Sequence, residues 1–77
     1  LIALGRNVHA IKELTKVVRD DEKNDAAWYS LGSCYNLQGF LDEAEKAFAQ
    51  TIQLNPQHTE ALLNLASLLY RQKQKTI

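Results

Sequence analysis

Few side chains in this 77-residue chain have the types and spacing that chemistry requires. His9 and His58 are the only histidines and lie far apart in the sequence. A metal site needs several ligands converging on one point, so no metal is expected. His58, next to Pro56 at a helix start, reads as a cap or a solvated loop residue, and His9 as part of a surface helix. Cys34 is alone, which excludes an internal disulfide. It sits beside an apolar helical stripe with no base or metal partner specified, so it reads as a small buried hydrophobe and not as a reactive thiol. Asp42 and Glu43 are neighbours on a helix and diverge by about 100°. They suit the positive end of a helix dipole, not an acid/base pair. The chain has neither a glycine-rich phosphate loop nor a nucleophile elbow. No catalytic constellation and no cofactor are expected, and the chain is read as a non-enzyme.

What remains is a pattern that builds surfaces. Trp28, Leu31, Gly32 and Tyr35 stand at i, i+3, i+4 and i+7, one face of a 3.6-residue helical period. Gly39 interrupts the pattern where a turn is needed. A second stripe follows at Leu41, Ala44, Ala47, Phe48 and Ile52, and Pro56 ends it because proline lacks the N–H and clashes with the preceding turn. No run alternates with period two. The spacing predicts a helix over 25–38 capped by Asn24 or Asp25, a helix over 41–54, a helix over 7–19 with Asn7 as N-cap, and a last helix from 59 to about 72. The apolar face of the 7–19 helix is Ala10, Ile11, Leu14, Val17 and Val18. One core is expected to contain Trp28, Leu31, Tyr35, Ala44, Phe48 and Ile52. Gly32 costs its helix about 1 kcal/mol against alanine, which the close approach of a neighbouring helix backbone, with Ala44 opposite, would offset.

The run Trp28-x2-Leu31-Gly32-x2-Tyr35, Ala44-x3-Phe48, Pro56 resembles the tetratricopeptide repeat, whose signature recurs about every 34 residues. A shift of 34 places Trp28 on Leu62, Leu31 on Leu65, Gly32 on Ala66 and Tyr35 on Leu69. The reverse shift places Gly39 on Gly5, Ala44 on Ala10, Phe48 on Leu14 and Ile52 on Val18. Pro56 falls on Glu22, where a charge run takes over as the break. The chain therefore divides into 1–24, the end of a first helix plus a full second helix; 25–58, a complete repeat; and 59–77, a first helix and a polar tail. It begins without Met in what reads as mid-helix, as a piece of a longer protein would. The resemblance implies an all-α, right-handed superhelical α-solenoid of antiparallel helix pairs that binds partners.

In this family the first helix of each repeat lines a concave groove. The resemblance thus implies a groove of Tyr29, Ser33, Asn36, Glu60, Asn64, Ser67 and Arg71, flanked by Ala26, Ser30, Leu37, Leu63 and Tyr70. The same strip also reads as an ordinary solvated face. Tyr29, an aromatic with a polar tip, fits a binding hot spot and equally fits packing on the neighbouring repeat. Some members clamp a chaperone's C-terminal carboxylate with lysine and asparagine. This chain has Tyr29 and Ser33 at the first of those positions and matches only at Asn64, so the clamp is absent. A ladder of groove asparagines would fall on Ser30 and Asn64, with one of two matching.

The function expected is a scaffold module that docks a peptide or helix of a protein partner. The alternative is a structural spacer or oligomerisation segment of a larger enzyme or assembly. Nine basic residues balance nine acidic ones, and Arg71 and Glu60 are the only charges in the groove. No nucleic-acid or membrane partner is therefore expected. No compartment is fixed, a cytoplasmic one being favoured. The last helix would expose Leu62, Leu65, Leu68 and Leu69, and the 7–19 helix lacks a partner at the other end. Head-to-tail self-association is expected, with residues 1–4 yielding to the incoming helix.

Overall fold

Helix periodicity and short polar breaks produce four α-helices in the computed structural model, and no strand among the described residues. The structure describes residues 2–75, with side chains described over 6–74. The helices are α1 (Ile2–Asp20), α2 (Asp25–Gln38), α3 (Leu41–Leu54) and α4 (Thr59–Lys75). Each packs on its neighbours in sequence. Loops this short force antiparallel pairing. Contacts at the helix ends agree: Asn55 after α3 bonds Asp25 at the start of α2, and Gln72 late in α4 bonds Asp42 early in α3. Alternate helices therefore run parallel, the arrangement of an α-solenoid.

The breaks are local chemistry. Asn24 caps α2, its Oδ1 accepting from the Ala27 N–H at 3.0 Å. Gly39 closes α2 at φ 85°, a left-handed conformation that glycine adopts without a Cβ clash. The Phe40 N–H reaches the Tyr35 carbonyl at 2.9 Å, completing the reversal. His58 caps α4, its Nδ1 accepting from the Ala61 N–H at 3.1 Å. Pro56 follows the end of α3 by two residues.

Several expectations are corrected. α1 is one continuous helix from Ile2 to Asp20, so Gly5 makes no turn and Asn7 no cap. A helix that has formed propagates cheaply, and a glycine costs it only about 1 kcal/mol. The side chains of residues 1–4 lie outside the described residues. α4 runs on past Gln72 to Lys75. Val17 is 39% exposed, whereas Ile11, Leu14 and Val18 face α2.

The core is divided. Val18, Ala27 and Leu31 form one cluster, with Trp28 half-buried at its edge; Ala44, Phe48 and Leu68 form the other. Tyr35 touches both. Ile52 is half-buried. Leu68, expected to be partly open, is 1% exposed beneath α3. The division follows from shape: the Cα framework measures 39 × 34 × 16 Å, too thin for a single central core. Gly32 owes its size to a ring instead of a backbone. A Cβ there would stand 2.8 Å from Cδ1 and Cε1 of Phe48. Thr51, fully buried beside Phe48 in sequence space, donates its hydroxyl to the Ala47 carbonyl at 2.9 Å.

Candidate protein-binding groove

The candidate residues sit on α2 and α4, the two helices that run parallel. Their side chains meet in two rungs. Asn64 Nδ2 donates to the Tyr29 hydroxyl oxygen at 3.0 Å, and Arg71 Nη2 donates to Asn36 Oδ1 at 3.4 Å. Each rung joins residues 35 apart, and the rungs are seven residues, two helical turns, from one another on both helices. Equal offsets at both rungs mean that α2 and α4 keep register along this face. Asn64 uses its amide as donor, which leaves its carbonyl oxygen and the Tyr29 hydroxyl proton as bonding capacity.

Of the two roles its type suggested, Tyr29 has the packing one. Its ring lies 5.8 Å from that of Phe48 and 4.7 Å from that of His58, so its body packs while its hydroxyl reaches Asn64. Ser33, Asn36 and Asn64 are half-buried, and Glu60, Ser67 and Arg71 are exposed. Ser30 and Ala26 are exposed beside them. Leu37, Leu63 and Tyr70 are about two-thirds exposed (70%, 66% and 65%) along the margins. The structure thus brings Tyr29 to Asn64 and Asn36 to Arg71. Ser33, Glu60 and Ser67 share the same helical strips by spacing.

His58 is the residue that spacing alone undervalued. Its cap was legible from its place before a helix start, but its ring contact with Tyr29 joins positions far apart in sequence. Asp25 gains a similar long-range partner. Its carboxyl is held below its ordinary value of 3.8, chiefly because Asn55 Nδ2 donates to Oδ2 at 3.0 Å. Partial desolvation opposes this, and backbone N–H groups and the nearby His58 add to it. Burial pushes the Cys34 thiol up, which disfavours the thiolate and accords with a packing role. Among the described residues no group of three or more His, Cys, Asp or Glu side chains is placed to hold a metal, and no helix is long and apolar enough to cross a membrane.

A second concavity opens on the other side, where α1 and α3 diverge above α2. It is a cleft of about 240 Å3 floored by Trp28, Leu31 and Tyr35, with Glu43 and Lys46 on its rim. The Trp28 indole N–H is already satisfied there by the Glu22 carbonyl at 2.9 Å.

Comparison with known proteins bears on the family of the chain. The chain is 31% identical over 64 residues to mouse Superkiller complex protein 3 and 30% identical over 64 residues to the human protein of that name. It is 38% identical over 56 residues to the Drosophila Protein O-mannosyl-transferase Tmtc3. These matches take in 83%, 83% and 73% of this chain but only 4%, 4% and 6% of those proteins. The chain thus spans a small part of the curated relatives it matches. Residues 26–58 match the tetratricopeptide repeat family model. With a helix pair, a left-handed Gly39 turn and Gly32 seated on Phe48, that segment is a tetratricopeptide repeat.

Proposed function

We propose that this chain is a non-catalytic protein-binding module and that its α2/α4 face takes an extended or helical segment of a partner protein. Tetratricopeptide repeats in general mediate protein–protein interaction, and the observation that supports the reading here is the pair of in-register rungs, Tyr29–Asn64 and Asn36–Arg71. They hold two parallel helices so that polar side chains form one strip about 10 Å long between rungs, at 1.5 Å per residue. Asn64 and Ser67 supply neutral donors and acceptors for a peptide backbone, and Glu60 and Arg71 put opposite charges toward the two ends of α4. Leu37, Leu63 and Tyr70 offer apolar contact along the margins. One relative is named as a transferase, but the chain corresponds to 6% of that protein, and none of its chemistry is assigned to this segment.

The test is selection of binding peptides from a random display library against the chain, followed by mapping through amide chemical-shift changes. Selected peptides are expected to perturb Ser33, Asn36, Asn64, Ser67 and Arg71, and Asn64→Ala with Ser67→Ala should weaken them at least about tenfold, or 1.4 kcal/mol. Tyr29 is unsuitable for truncation because its ring packs on Phe48 and His58; Tyr29→Phe removes only the hydroxyl. Peptides that map to the α1/α3 cleft, or that bind the double variant as well as the parent, would defeat the reading.

A further inference from the structure

We propose that His58 is a pH-operated latch at the corner between α3 and α4: neutral, it caps α4 and braces Tyr29; protonated, it gives up the cap and turns its ring toward Asp25. The cap fixes the tautomer. Nδ1 accepts from the Ala61 N–H at 3.1 Å, so it carries no proton, and the neutral ring holds its proton on Nε2. An imidazolium has a proton on both nitrogens and accepts on neither. Protonation therefore sets two N–H groups against each other where a hydrogen bond stood. It also puts a positive charge at the positive end of the α4 dipole.

The chain contains its own control. The repeat offset of about 34 residues places His58 on Asn24 and Ala61 on Ala27. Asn24 Oδ1 accepts from the Ala27 N–H at 3.0 Å, just as His58 Nδ1 accepts from Ala61. The backbones match as well. The Asn24 N–H donates to the Asp21 carbonyl at 3.2 Å and the His58 N–H to the Asn55 carbonyl at 3.0 Å. The carbonyls of Asn24 and His58 accept from the N–H groups of Trp28 and Leu62, each at 3.1 Å. The two corners thus share one frame and differ in the capping group. An amide oxygen keeps its lone pairs in acid, whereas histidine changes charge in the physiological range. Only the α3–α4 corner is built to respond.

The charged ring has a place to go. The Asp25 carboxyl on α2, held low chiefly by the Asn55 amide, is lowered further by the charge of His58, so the two attract. The other ionisable group that α2 presents is Tyr29, its ring centroid 4.7 Å from that of His58; an aromatic face also attracts a cation. Residues 50–57, the end of α3 and the loop, hold no ionisable side chain, and the first turn of α4 adds Glu60. The backbone bonds of His58 to Asn55 and Leu62 do not involve the ring, so the side chain turns about a fixed Cα. Tyr29 feels that turn directly. Its ring packs on both His58 and Phe48, and its hydroxyl accepts from Asn64. The latch thus reaches one rung of the α2/α4 face. For its use it rests on the reading of that face as a groove; for its existence it does not.

An NMR titration of the isotope-labelled chain, with no peptide present, tests the proposal. Before acidification the imidazole nitrogen shifts should show His58 protonated on Nε2 and bare on Nδ1. As the ring takes its second proton, the Ala61 amide and the Tyr29 ring signals should move with the same midpoint as the His58 ring. Protection of the Ala61 amide from hydrogen exchange, corrected for the intrinsic rate, should fall about tenfold, the size of a lost N-cap. The Ala27 amide should keep its protection under Asn24. His58→Asn, which copies the Asn24 corner, should keep parental helicity by circular dichroism and abolish the response at Ala61. A proton on Nδ1 of the neutral ring, an Ala61 amide that ignores the His58 titration, or the same Ala61 response in His58→Asn would each overturn the latch. Loss of protection at Leu31 in step with Ala61 would mean global unfolding and would overturn it too.

Discussion

Gly32 and Phe48 form a matched pair whose energetics can be isolated. Gly32→Ala gains up to about 1 kcal/mol of helix propensity but forces a Cβ against a ring with no free space around it. Overpacking of this kind costs about 1–3 kcal/mol, so net destabilisation is expected in urea titrations. Phe48→Leu should relieve it. The double variant should be more stable than the two single effects sum to, by more than the roughly 0.5 kcal/mol within which independent sites add; simple additivity would refute the steric account. Phe48→Ala should cost about 3–5 kcal/mol, more than Trp28→Ala, because Phe48 is fully buried and Trp28 only half. Asp25 carries a pH dependence. Its folded carboxyl is depressed below 3.8, so its stabilisation is present above that value and lost as acid carries the pH down through the folded pKa. Asn55→Ala should raise the Asp25 titration midpoint toward 3.8, read by NMR, and an unmoved midpoint would reject Asn55 as the leading cause.

At the scale of the elements, the helices differ in how their starts are secured. α2 has a side-chain cap from Asn24, whereas α3 begins at Phe40 with no side-chain cap and relies on Asp42 and Glu43 in its first turn. Asn24→Ala should therefore cost about 1 kcal/mol, and Asn24→Asp should preserve most of it. The helix pattern was legible residue by residue: the 25–38 and 41–54 ranges match α2 and α3. Caps, a glycine stop and a proline are local signals that act within one turn. α1 departed from expectation because its break was inferred from the repeat offset alone. Gly5 corresponds to Gly39 by offset, but only Gly39 has the left-handed φ of 85° that closes a helix. Gly5 lies inside the continuous α1.

Apart from the two rungs between α2 and α4, the described residues form a row of nearest-neighbour helix contacts, 16 Å thick, with the two core clusters joined through Tyr35. In such a row the outer helices are held from one side and the inner ones from two. Hydrogen exchange should be slowest in α2 and α3 and faster in α1 and α4, with α4 amides fastest toward Lys75. Uniform protection across all four helices would mean a single cooperative core and would contradict the divided one.

Sequence alone determined α2, α3, the order of the helices and the repeat, because those depend on spacing and on caps that act over a few residues; the length of α1 it missed. Helical period also put Tyr29, Ser33 and Asn36 on one strip of α2 and Glu60, Asn64, Ser67 and Arg71 on one strip of α4, while only the family resemblance implied that the two strips form one groove. Only the tertiary structure decided what those residues touch. Tyr29 meets His58, Phe48 and Asn64 together, and Gly32 faces a ring instead of a backbone. Val17 and Leu68 exchanged their expected exposures for the same reason. The rotation of one helix about its axis against the next is set by how side chains of both interlock, and that sum over two distant stretches is not written in either one.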